Sequence, residues 1–147
     1  MFYNCIYINA IDLSNFDMSN VTDMSYMFSE CKNLISIKFS DSFLNIDKAI
    51  YMSHMFSNCN SLSDINLSSF NTKNVIDMNY MFYNCCSLKE LNLSSFITKN
   101  VKNMSHMLSK CKSKELNLSS FDTLNVIDMS HIFFRMRFAG RIKNIDF

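Results

Sequence analysis

Six cysteines and three histidines are the residues of this chain with the strongest intrinsic chemistry. Thiols can pair as disulfides, ligate zinc or act as nucleophiles beside an imidazole. Their spacing argues against each of these. Cys5, Cys31, Cys59, Cys85 and Cys111 recur at intervals of 26 or 28 residues, one per repeating unit. Five residues in one column cannot all pair. Rungs set at helix spacing would also exceed the Cα separation of about 7 Å that a disulfide tolerates. The expected role is that of small buried hydrophobes. Cys86 stands beside Cys85 and off the column. A Cys-Cys doublet lacks the Cys-x-x-Cys spacing of zinc and redox sites, so Cys86 is expected as a partly exposed thiol.

His54, His106 and His131 share a column with Tyr26 and Tyr80, just before each Met-Phe position. Two imidazoles, His106 and His131, without a third ligand make a poor metal site. The expected role is a ring stacked on the outer face of a helix. A dyad of Cys111 with His106 or His131 would require Cys111 to leave the core. No phosphate-binding glycine loop, G-x-S-x-G or H-E-x-x-H is present. The residues therefore predict no catalytic group, no metal and no cofactor.

What must position these residues is a repeat. The units run 1–26, 27–54, 55–80, 81–106 and 107–131, and 132–147 reads as a degenerate sixth start or cap. Each carries two apolar periods. Met78, Met81, Phe82 and Cys85 stand at i, i+3, i+4 and i+7, which predicts a short helix. Asn74 followed by Asp77 reads as its capped start. Leu88, Leu91 and Leu93 then predict a strand, as do Ile8, Ile11 and Leu13, and in the tail Ile142, Ile145 and Phe147. A Ser-Ser-Phe corner follows, with Phe16, Phe43, Phe70, Phe96 and Phe121 expected inward. One such unit cannot bury its apolar face alone, but a stack can. Strands pair at about 4.8 Å and helices need about 8–10 Å, so the stack should bend. The prediction is a curved leucine-rich-repeat-like α/β solenoid, with short helices on the convex side and a parallel sheet on the concave side. Its core ladder is Cys5, Cys31, Cys59, Cys85 and Cys111, with Phe28, Phe56, Phe82, Phe70, Phe96 and Phe121.

Composition bounds the function. The 147 residues suit one domain, hydrophobic residues are 48%, and the net charge of +1 argues against nucleic acid as a general partner. No run of 18 apolar residues exists, so direct membrane insertion is not expected. The opening segment reads as a repeat rather than a signal peptide. One glycine and no proline mean that Asn, Asp and Ser must make the turns.

The phrase "INLSSFNTKNVIDMNYMFYNCCSL" (65–88) and its counterparts resemble the BspA-type leucine-rich-repeat surface proteins. The matching residues are Asn74, Val75, Met78, Met81, Phe82, Cys85, Leu88, Leu91, Leu93, Ser94 and Phe96, with their counterparts over nearly all of 1–131. The resemblance implies a surface or secreted adhesin-type binder without catalytic residues. A lipoprotein cysteine is missing, since Cys5 belongs to a repeat. The array begins and ends mid-pattern, which reads as a fragment of a longer reading frame. The expected function is a non-catalytic interaction module for a protein or glycan ligand. Its candidate face is the outward strand row Asp12, Lys38, Asp64, Asn66, Glu90, Asn92, Glu115, Asn117 and Asp146. A structural spacer without its own ligand is the alternative. The basic tail residues Arg135, Arg137, Arg141 and Lys143 read as a frayed or capping end, with a binding patch as the alternative.

Overall fold

Each Met-Phe-x-x-Cys segment folds as a run of four-residue turns. In the fourth unit the amides of Met81, Tyr83 and Cys85 donate to the carbonyls of Met78, Tyr80 and Phe82, three residues back in each case. The amides between them go elsewhere. Those of Met78, Tyr80, Phe82 and Asn84 donate to Asn103, Ser105, Met107 and Ser109 in the next unit. The remaining amide, Asn79, is taken by the Asp77 carboxylate at 2.9 Å. Every N–H from Met78 to Cys85 is thus satisfied, half of them by the neighbouring coil.

The described residues contain no helix, and the predicted helices of the convex side are corrected here. The i, i+3, i+4, i+7 spacing is real, but consecutive four-residue turns produce it as well. In the first and last of these three turns the third residue has a left-handed backbone, with φ of 54° at Tyr80 and 59° at Asn84. The same two positions recur in every unit, and none is glycine. A helix would have left its first amides orphaned. The turn run exports them to the next coil instead. Without helices, the spacing mismatch that predicted curvature is gone too. The capping reading of Asn74 changes as well. Its side-chain amide donates to the Asp47 carbonyl of the preceding coil at 2.7 Å, as Asn100 does to Lys73 and Asn125 to Lys99.

The computed structural model describes residues 1–40 and 44–143, and for 138–143 the backbone alone. Six strands are present among them: β1 (Ala10–Asp12), β2 (Ser36–Lys38), β3 (Asp64–Ile65), β4 (Glu90–Asn92), β5 (Lys112–Asn117) and β6 (Arg137–Lys143). All pair in parallel, in two sheets ordered β1-β2-β3 and β4-β5-β6. A second parallel line of bridges joins Asp23, Tyr51, Asp77, Asn103 and Asp128. Both lines advance by one repeat unit per step, so successive units stack as coils. Phe43, Ile145, Asp146 and Phe147 lie outside the described residues.

Between the strands and the turn runs lies the core. Phe2, Phe28, Phe56 and Phe82 stack at 5.3–5.5 Å, and Leu108 follows them in the column. Burying each such ring is worth about 1.5–3 kcal/mol, and each stacked pair about 0.5–1.5 kcal/mol more. Phe70 and Phe96 fill the corner, while Phe121 is half-buried. Phe16 is 47% exposed, because within this chain only one coil packs against the first. In the fifth unit one residue is missing between Cys111 and Leu116. The chain extends directly into β5, and Ser113 takes the inward place of Leu88. Its hydroxyl donates to the Glu115 carbonyl at 2.7 Å, beside the irregularity where β5 meets β6.

Candidate functional site

The cysteine column stands inside the coils. Cys31, Cys59, Cys85 and Cys111 are fully buried and Cys5 is half-buried; all are free thiols. Cys31, Cys59 and Cys85 donate to the carbonyls of Phe2, Phe28 and Phe56 at 2.9, 3.1 and 3.1 Å, each one coil back. Burial pushes the Cys59 and Cys85 thiols far up and that of Cys111 up to about 12. Such thiols are inert toward nucleophilic chemistry at neutral pH. Cys86 is exposed, and its thiol donates to the Asn84 side-chain oxygen at 3.1 Å.

The histidines form the middle of an outer ring ladder. Tyr26, His54, Tyr80, His106 and His131 stack face to face at 4.5–4.7 Å, within 24° of parallel. Each of the five sits at a left-handed backbone position. The stack therefore runs along the turn runs and not along a helical face. Burial pushes the His54 and His106 imidazoles below their usual range. The Nδ1 of His106 is sealed from water without a hydrogen-bond partner. No side-chain hydrogen bond joins Cys111 to either histidine. Among the described residues no three of His, Cys, Asp or Glu cluster as metal ligands.

The strand face brings together the outward residues read from the sequence, apart from Asp146, which lies outside the described residues. Asp12, Lys38, Asp64, Asn66, Glu90, Asn92 and Glu115 are exposed and Asn117 half-buried. They divide into two rows. In the row of Asp12, Asn66, Asn92 and Asn117, each side-chain oxygen accepts the amide two residues on, from Ser14, Ser68, Ser94 and Ser119 at 2.9–3.1 Å. These are Asx turns, and they occupy the side chains. The Ser14 hydroxyl and amide hold the Asp12 carboxyl below the usual carboxylate range, and Lys38 lies 3.6 Å away. The second row is free. The carboxylates of Asp64, Glu90 and Glu115 have no hydrogen-bond or ion-pair partner among the described residues, and Glu90 faces Glu115 in register. Like charges directly opposite repel, while on its other side Glu115 is in register with Arg141 of β6.

Sequence reasoning missed the threonines. Thr72 is buried, receives the Ile97 amide at 2.8 Å and donates to the Ile97 carbonyl at 3.0 Å. Thr98 does the same with Asp122. The recurring Phe-x-Thr of 70–72, 96–98 and 121–123 was the available signal.

Stacked coils, internal ladders and a face without converging reactive groups define the class: a repeat protein whose units are held by their neighbours. The chain belongs to the family described as Mycoplasma protein of unknown function, DUF285, whose model matches residues 1–114 and 38–145. No curated protein and no solved structure matches.

Proposed function

We propose that this chain is a non-catalytic interaction module of a surface or secreted protein, binding a protein or glycan through its strand face. The acidic row Asp64, Glu90 and Glu115 carries the reading, because its carboxylates are exposed and without partners among the described residues, and Glu90 and Glu115 stand in register across β4 and β5. The resemblance to BspA-type surface repeats supports it, and the family membership is consistent with that resemblance. A partner presenting cations would relieve the repulsion and gain the charge pairs. Nucleic acid is a poor candidate for so acidic a row. The test is binding to a panel of purified matrix proteins and glycans, with Glu90→Lys/Glu115→Lys as the variant. Loss of binding of about tenfold or more is expected. Unchanged binding would remove the strand face from the proposal.

A spacer without its own ligand is the second reading. The observation favouring it is that the Asx row spends its side chains on the chain's own turns. A wild-type chain that binds nothing on the panel supports this reading.

A further inference from the structure

Away from the strand face, at the corner where the turn runs enter β5 and β6, four cations meet. A groove of about 470 Å³ is lined by Asn84, Cys86, Lys110, Lys112, Arg135 and Arg137. No carboxylate lines it among the described residues. None of the four cations takes part in an ion pair there; the three pairs of the described chain lie elsewhere.

The coil stack explains the crowding. Lys110 and Arg135 occupy one column, at the second left-handed position of successive units. Lys112 and Arg137 occupy the next and are direct partners across the parallel pair of β5 and β6. Paired strands lie about 4.8 Å apart, so Lys112 and Arg137 leave neighbouring backbone positions. Four cationic side chains from two adjacent columns therefore line one groove. Cations opposite one another cost stability unless an anion answers them. Two are also held in place. The Lys110 ammonium donates to the Tyr83 hydroxyl at 2.6 Å, and the Arg135 guanidinium lies 5.2 Å from the Phe134 ring centre. The Lys110 ammonium keeps two donors to spare.

We propose that this groove binds a phosphomonoester group. Its extent selects a compact dianion over a long polyanion. One coil back the two columns hold Asn84 and Cys86, two coils back Asn58 and Asn60, three back Glu30 and Lys32. Toward the first coil the positive track stops at the neutral pairs Asn84/Cys86 and Asn58/Asn60, so on that side a long polyanion has no continuous path to follow. Guanidinium forks match phosphate oxygens in pairs, and the ammonium groups add point charge. The proposal is independent of the strand-face reading, since none of its residues belongs to that face.

Cys86 is a built-in reporter, because it lies in the groove and is exposed while the column thiols are buried. The experiment follows Cys86 alkylation by neutral iodoacetamide in the full chain, by mass spectrometry at constant ionic strength. Phosphoserine is one probe. Vesicles of phosphatidylcholine with phosphatidic acid are the other, with co-flotation read alongside. Saturable slowing of about threefold or more is expected, because a bound group occludes the thiol. It should be lost in Lys112→Gln/Arg137→Gln and kept in Glu90→Lys/Glu115→Lys. Protection by phosphoserine assigns a soluble or peptide-borne ester, and co-flotation lost in the double variant assigns a lipid headgroup. No saturable slowing by either probe, or slowing that survives Lys112→Gln/Arg137→Gln in a chain with the wild-type circular dichroism spectrum, overturns the proposal.

Discussion

At the scale of single residues, the two kinds of thiol should separate cleanly in solution. Cys59, Cys85 and Cys111 are sealed and held as thiols by burial, whereas Cys86 is open. Labelling of native protein should modify Cys86 first, and the buried three only after denaturant is added, as peptide mapping would show. Early modification of Cys85 would place that side chain outside the core. The histidines make a second residue-scale prediction. Burial depresses His54 and His106 in the folded chain. The unfolded chain therefore takes up protons first as pH falls. Stability from these rings is whole above about pH 6.5 and is lost as pH falls below it. The melting temperature should drop from about pH 7.5 to about pH 5.5, and less so in His54→Tyr/His106→Tyr, which keeps the ring ladder. A wild-type melting temperature flat across that window would contradict it. The turn aspartates act elsewhere. The Ser130 and Ser19 groups that bond Asp128 and Asp17 lower those carboxyls, so their contribution is lost only as pH falls below about 3.8.

Among the elements, the turn runs show where sequence pattern is ambiguous. Met78, Met81, Phe82 and Cys85 were legible as an inward set, and all four are buried. Their secondary structure was not legible from that spacing, because helices and chained four-residue turns share it. The discriminating signal was weaker. Asn4, Asn58 and Asn84 hold left-handed positions that suit asparagine, but Tyr, His, Glu, Lys and Arg hold the others, as at Tyr26, Glu30, His54 and Lys110. With a single glycine in the chain, nothing advertised those turns. The strand row was legible as outward-facing, but not its division into Asx turns and free acids, which depends on bonds two residues ahead. The threonine staples give this scale its prediction. Thr98→Val keeps the shape but orphans the Asp122 amide and carbonyl, and should cost about 1–3 kcal/mol in urea unfolding. Thr98→Ser should recover most of it. A neutral Thr98→Val would show that water reaches the site.

For the molecule as a whole, stability is a matter of neighbours. Each coil exports amides to the next, and its Phe and outer-ring rungs stack on the matching rungs of adjacent coils. Repeat arrays of this kind gain stability from nearest-neighbour interfaces. Amide exchange should therefore be slowest in the turn runs of Met52–Cys59 and Met78–Cys85, which have coils on both sides, and faster in the first coil. Uniform protection from end to end would instead indicate a single cooperative unit.

The alternation of exported and retained amides also acts as a ruler. Unit length varies by up to three residues along the chain, from 25 to 28, yet every change falls outside the turn runs. The second unit gains its extra residues after Phe39, and the fifth loses one after Cys111. One residue added between Met78 and Cys85 would exchange donors bound outward with donors bound home, and would put each ring where a core side chain belongs. The turn run is thus the phase-keeping part of the unit, and the corners are where this chain tolerates variation.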